Sequence, residues 1–330
     1  MIRLGTGVMV VALLTGAGCA SYHAFGTARA VLPLPPELQQ YYDYPSSDQK
    51  AQVRLVEQHP TYSVKQVTLG SDDGADPIKL IWFAPNTTTP SPLILISPIH
   101  GSDTLVVEGC AEAFAADGYH AAIVKRAHYR FDPAGPLSQV EDSLRDGVIR
   151  HRRALDWLLA QHGIDPNRVG TFGISYGGIL TAALAAIDPR VKVSVIDLAG
   201  GPLPGVMRSS EEYSVRRDWN HSRDCHDLTN KELYTELGDI IRTDPVKLAP
   251  YVARDNVLML IARFDSSVPT KYQVNLWRAL GKPRADFVPL GHYSSILALP
   301  AHRLTVMRFF EENLEQPAPA TVAAGVQARN

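Results

Sequence analysis

The chain has 330 residues, enough for one large domain or two small ones around a substantial core. Its 32 basic and 34 acidic side chains nearly cancel, so no global field draws it to nucleic acid or to an anionic surface, and nucleic-acid partners are excluded. A hydrophobic content of 45% and a mean hydropathy of −0.08 belong to an ordinary globular protein, neither disordered nor polytopic in a membrane.

The first residues depart from that average. Met1-Ile2-Arg3, the apolar run Val8 to Leu14 and the small residues Thr15-Gly16-Ala17-Gly18 before Cys19 have the three-part layout of a secretory signal, so export is expected. The run into Cys19 resembles a bacterial lipoprotein signal. That resemblance implies a signal over 1–19, lipidation of Cys19, and a body anchored in the cell envelope facing the periplasm or the outside. Membrane contact would then be through the lipid anchor alone. Gly16 stands where that family prefers Leu, which keeps cleavage elsewhere and an uncleaved anchor as alternatives.

Residues 20–60 carry Pro33, Pro35, Pro36 and Pro45 among polar clusters and read as a tether or N-terminal arm. The folded body is expected over 61–315. Strand patterns at Ser63–Leu69, Ile78–Phe83 and Leu93–Ser97 lead to a helix at Leu105–Ala116, a strand at His120–Lys125 and a helix at Val140–Gln161. A strand at Val169–Gly173, a helix at Gly178–Ala186 and a strand at Val191–Asp197 follow. The charged, irregular stretch of about 202–250 is too long for a structureless loop and reads as an inserted helical cap. Beyond it come a strand at Val257–Ala262, a helix at Lys271–Leu280, a strand at Asp286–Pro289 and a helix at Pro300–Leu314. Residues 316–330, rich in Pro and Ala, are expected to form a disordered tail. Alternation of this kind predicts an α/β fold with a mostly parallel eight-stranded sheet flanked by helices. Cys110 and Cys225 either close a disulfide in an oxidising compartment or remain free, with Cys110 on a buried helical stripe.

The strongest chemical signal is Gly173-Ile174-Ser175-Tyr176-Gly177-Gly178, set between the strand ending at Gly173 and the helix opening at Gly178. A Gly-x-Ser-x-Gly turn in this setting strains the serine and exposes its hydroxyl, and only small residues two positions away avoid collision. The helix N terminus below it aims free N–H groups and a partial positive charge at a developing oxyanion. Ser175 is therefore the candidate nucleophile.

With its Ser-Tyr-Gly-Gly elbow, the sequence resembles the α/β-hydrolase superfamily, and within it the dienelactone-hydrolase and prolyl-peptidase-like branches, over roughly 60–315. The superfamily order Ser, Asp, His implies Asp265, before Ser266-Ser267-Val268-Pro269, as acid, and His292, in Leu290-Gly291-His292-Tyr293, as general base. Asp197 at the end of the sixth strand is the rival acid. The oxyanion hole is assigned to the N–H of Tyr176 and to Ser102, with Gly101 as its alternative, in Pro98-Ile99-His100-Gly101-Ser102-Asp103. His100 is read as structural to that turn.

Two further groupings carry weaker signals. His221, Asp224, Cys225, His226 and Asp227 match no closed zinc spacing and read as a polar cap surface. Lys125, Arg126, His128 and Arg130 either meet an anionic substrate or form a solvated loop, the second being preferred. The resulting expectation is a serine hydrolase cleaving a small-molecule ester or short acyl substrate through an acyl-enzyme, with no metal or organic cofactor. A prolyl-type serine peptidase is the alternative. An inactive hydrolase-fold lipoprotein used for binding is the reading from another class.

Overall fold

The run Ser91–Ser97 is buried at every position, so both its faces are covered and it lies inside a sheet. Its side chains divide with the period of two that a strand imposes. Leu93 and Leu95 join one hydrophobic core, Ile94 and Ile96 the other.

The computed structural model describes residues 20–23, 28–45, 50–70, 76–100, 105–127 and 131–314. In chain order the strands are β1 (Ala20–Tyr22), β2 (Lys50–Gln58), β3 (Tyr62–Gly70), β4 (Ile78–Pro85), β5 (Ser91–Ser97), β6 (His120–Val124), β7 (Ile164–Ile174), β8 (Val193–Asp197), β9 (Val257–Ala262) and β10 (Arg284–Val288). The helices are α1 (Pro36–Tyr41), α2 (Leu105–Ala116), α3 (Gln139–Leu159), α4 (Tyr176–Ile187), α5 (Leu203–Ser209), α6 (Tyr213–Cys225), α7 (Asn230–Ile240), α8 (Pro245–Leu248), α9 (Thr270–Ala279), α10 (His292–Leu297) and α11 (Leu299–Leu314). All strands share one sheet, in the order β1-β10-β9-β8-β7-β5-β6-β4-β3-β2. Its middle, from β10 to β6, is parallel, and β4, β3, β2 and β1 pair antiparallel. From β5 the chain runs first to β6 on one side and then to β7 on the other. This reversal opens a crevice at the carboxyl ends of the strands.

Helices cover both faces. Leu155 of α3, Leu180 of α4 and Leu276 of α9 pack into one core, while Val107 of α2 and Phe310 of α11 fill the other. The stretch 202–250 holds α5 to α8; α7 opens with a reciprocal cap in which Thr229 Oγ1 accepts from Glu232 N–H and Glu232 accepts from Thr229 N–H.

Among the described residues the sheet has ten strands where eight were expected. The two additions lie at its edges, in the stretch read as a tether or arm. All nine residues of β2 are exposed, so nothing in their order of polarity marks a buried face, and pairing with β3 alone places them. β1 has three residues, too few for any period. Cys19, the signal over 1–19 and the expected tail over 316–330 lie outside the described residues. Cys110 and Cys225 are both free, and burial pushes the Cys110 thiol up to about 12.

One buried carboxylate joins the arm to the cap, alongside the Arg145 and Arg152 side chains that donate to Tyr41 O and Tyr42 O. Glu141 on α3 accepts from the backbone N–H groups of Arg242 (3.0 Å) and Thr243 (2.9 Å), from the Thr243 hydroxyl (2.6 Å) and from the Tyr41 phenol (2.9 Å). Replacing Glu141 with Ala strands these buried donors, a penalty of about 1–3 kcal/mol for each one left unsatisfied. Urea unfolding should show Glu141→Ala at least about 3 kcal/mol less stable than the parent. A loss below about 0.5 kcal/mol would show that the arm and the cap are held elsewhere.

Candidate active site

Ser175 caps α4 directly after β7, with φ 57° and ψ −118°. An L-residue holds such a backbone only where its surroundings over-determine it. Here its N–H donates to the carbonyl of Asp197 at 2.8 Å, and its carbonyl accepts from Ile179 N–H at 3.1 Å. The flanking glycines are required by space. A methyl on Gly173 would collide with the Gly177 carbonyl, and one on Gly177 with the Ser97 carbonyl of β5. The first-turn N–H of Tyr176 has no carbonyl to meet within its own helix.

Asp265 follows β9 in a short turn and is buried. Its Oδ1 accepts from the N–H groups of Ser267 (2.9 Å) and Val268 (2.8 Å). Its Oδ2 accepts from Gln273 Nε2 (2.8 Å) and from His292 Nδ1 (2.7 Å). With Nδ1–H committed to the carboxylate, Nε2 is the ring nitrogen left to act as a base. His292 opens α10 after β10, and it lines the same cleft as Ser175.

Asp197 takes no part in that pairing. Its carboxyl is buried at the end of β8 and pushed up to about 8, mainly by burial and further by the charge of Asp265, with a bond from Leu198 N–H opposing. Its contribution to the site is the main-chain oxygen that fixes Ser175.

Gln273 carries no motif, yet it locks the acid in place. It is fully buried; its Oε1 accepts from Ala262 N–H at 3.1 Å while its amide also donates to Val268 O at 2.8 Å. The available signal was a polar residue on the face of the expected helix shared with Leu276 and Leu280. His151 plays a similar part below the loop after β5. It donates from Nδ1 to Gly147 O (2.7 Å), accepts from Ser97 Oγ at Nε2 (3.0 Å), and is kept neutral by burial at about 4.

The cleft measures about 1290 Å³. Leu203, Val206 and Met207 of α5 line it together with Ile179 and Val140, so the cap supplies part of its apolar lining. Arg126 also lines it, against the expectation of a solvated loop. Its guanidinium lies 4.1 Å over the Tyr176 ring and 3.2 Å from His100 Nδ1, two partners that hold it against the cleft. Burial, with the charge of Arg126 second, lowers the His100 pKa and so keeps the ring an acceptor. Gly101, Ser102, His128 and Arg130 lie outside the described residues. His221 lines the cleft, and His226 bonds back to Ser222 O at 2.8 Å. Among the described residues no group of three or more His, Cys, Asp or Glu side chains is placed to hold a metal ion.

Asp197 gives a signed pH dependence. Unfolded, an Asp ionises near about 3.9; folded, this one keeps its proton to about 8. Between the two values the native chain binds more protons than the unfolded chain, so this group makes stability fall as pH rises from about 4 to about 8. Asp197→Asn removes that component. Urea series across this range should show a flatter profile for the variant, and parallel profiles would place the titration elsewhere.

Two family models match the chain, X-Pro dipeptidyl-peptidase (S15 family) over residues 72–212 and the prolyl oligopeptidase family over residues 152–290. The quorum-quenching protein AidA of Acinetobacter baumannii (strain MDR-ZJ06) is 33% identical over 115 residues, 33% of this chain and 36% of that protein. The chain thus aligns with about a third of that relative's length. Among solved structures, acetyl xylan esterase 1 from Thermoanaerobacterium sp. JW/SL YS485 superposes with a TM-score of 0.65 at 19% identity, covering 85% of this chain and 94% of that one. Acetyl xylan esterase from Paenibacillus sp. R4 gives 0.62 at 22% identity, covering 85% and 100%. Sheet order, the turn at Ser175 and these superpositions agree on the architecture: the chain has the α/β-hydrolase fold.

Proposed function

We propose that this chain is a serine hydrolase that cleaves carboxylic esters through an acyl-enzyme. One observation carries the reading: His292, hydrogen-bonded at 2.7 Å to Asp265, lines the same cleft as Ser175 on its strained turn. In this reading Nε2 of His292 takes the hydroxyl proton as Oγ attacks the ester carbonyl, a role that contributes about 10²- to 10⁴-fold. Asp265 fixes the tautomer and stabilises the imidazolium. The oxyanion is met by the Tyr176 N–H and a second donor from the loop after β5, Ser102 or its neighbour Gly101. The leaving alcohol departs with the proton held by His292, and water repeats the sequence to release the acid.

Ester cleavage is favoured by the acetyl xylan esterases among the structural neighbours. A specific observation keeps a second reading: both matching family models are peptidase families, so a serine peptidase is the alternative. Export with lipidation at Cys19 belongs to the same proposal and is supported by the layout of residues 1–19.

A fluorophosphonate probe should label the parent chain and leave Ser175→Ala unlabelled. Absence of labelling in the parent would overturn the enzyme reading. Turnover of short nitrophenyl esters should fall about 10⁴-fold in Asp265→Asn and stay within an order of magnitude in Asp197→Asn. Cleavage of proline-containing peptides without cleavage of esters would move the assignment to peptidase.

A further inference from the structure

The parallel strands β7, β9 and β10 deliver Ser175, Asp265 and His292 at their carboxyl ends, which form one edge of the sheet. β1 runs antiparallel to β10, and its first residue, Ala20, pairs with Phe287 near that same edge. The described chain therefore enters the sheet at Ala20 on the side that carries the site, and in the sequence the apolar run Val8 to Leu14 precedes that point.

Four large side chains stand exposed near the rim of the cleft on that side, beside the carboxylate of Glu212. Tyr213, Phe264, Tyr293 and Leu297 are 77%, 71%, 61% and 82% exposed. They belong to one patch. Phe264 N–H donates to Leu290 O at 3.0 Å, just before α10. Tyr293 and Leu297 stand one turn apart on α10. The Tyr293 phenol bonds the carboxylate of Glu212, the neighbour of Tyr213. Tyr293 and Glu212 both line the cleft, so the patch frames its mouth.

Large side chains left in water together mark a contact surface. Tyrosine, apolar in body and polar at its tip, suits the boundary between lipid and water. We propose that this rim docks on a lipid surface, with the mouth of the cleft facing the bilayer and ester substrates entering from it. The point where the chain enters the sheet and the exposed rim lead to the same orientation by separate observations. Among the described residues no helix is long and apolar enough to cross a membrane. The substrate part rests on the ester-hydrolase reading; the docking part does not.

The test uses the full chain on vesicles of phosphatidylethanolamine and phosphatidylglycerol. A double variant, Tyr213→Asp with Leu297→Asp, should hydrolyse soluble nitrophenyl acetate at the parent rate but lose at least about tenfold on nitrophenyl palmitate embedded in the vesicles. Equal turnover by parent and variant on the embedded ester would overturn the proposal. A second variant reads docking without activity: Leu297→Trp adds a fifth tryptophan to the native four. Brominated lipid should quench the added emission, and an unquenched signal would overturn the proposal. So would a parent dimer that the double variant dissociates with vesicle turnover unchanged, since the rim would then be covered by a second copy. A parent inactive on both esters, yet quenched at position 297, would sink the hydrolase reading and leave docking standing.

Discussion

The backbone at Ser175 turns through a conformation that an L-residue holds only when its neighbours leave no room for another. That room is closed from three sides: by the Gly177 carbonyl opposite Gly173, by Ser97 of β5 opposite Gly177, and by the Asp197 carbonyl that receives the Ser175 N–H. Three adjacent parallel strands thus converge on one hydroxyl. Relaxing the turn would require β7 to move from its neighbours, and the strands that flank it are buried along their whole length.

The charged part of the site depends on the same packing. Burial first, and the charge of Asp265 second, raise the pKa of Asp197, so the two neighbouring carboxyls sit in unlike surroundings. Asp265 collects four donors and serves His292. Asp197, with the Leu198 N–H as the bond opposing its burial, keeps its proton and acts on Ser175 through its main chain. The choice between two candidate acids is therefore made by the supply of hydrogen-bond donors, which Gln273 and the turn after β9 provide.

Much of this was legible in the sequence where burial imposes a period. The eight expected strands are present, seven with ends within about two residues of those expected and β7 starting five residues early, and the central ones are apolar throughout because helices cover both their faces. The turn at Ser175 was legible because two glycines at fixed spacing answer a local steric demand. What escaped depends on partners distant in the chain. β2 has no buried face and gains its place from its ladder to β3. Gln273 and His151 look like ordinary polar residues until Ala262, Asp265, Gly147 and Ser97 are brought around them. Arg126 reads as a loop cation until Tyr176 turns its ring beneath it.

Pairing of His292 with Asp265 is the central claim, and proton NMR addresses it directly. An imidazole N–H held by a buried carboxylate resonates far downfield of the amides. The spectrum should contain one such signal that survives in Ser175→Ala and in Asp197→Asn and vanishes in His292→Ala and in Asp265→Asn. A signal that persists in Asp265→Asn and disappears in Asp197→Asn would contradict the account.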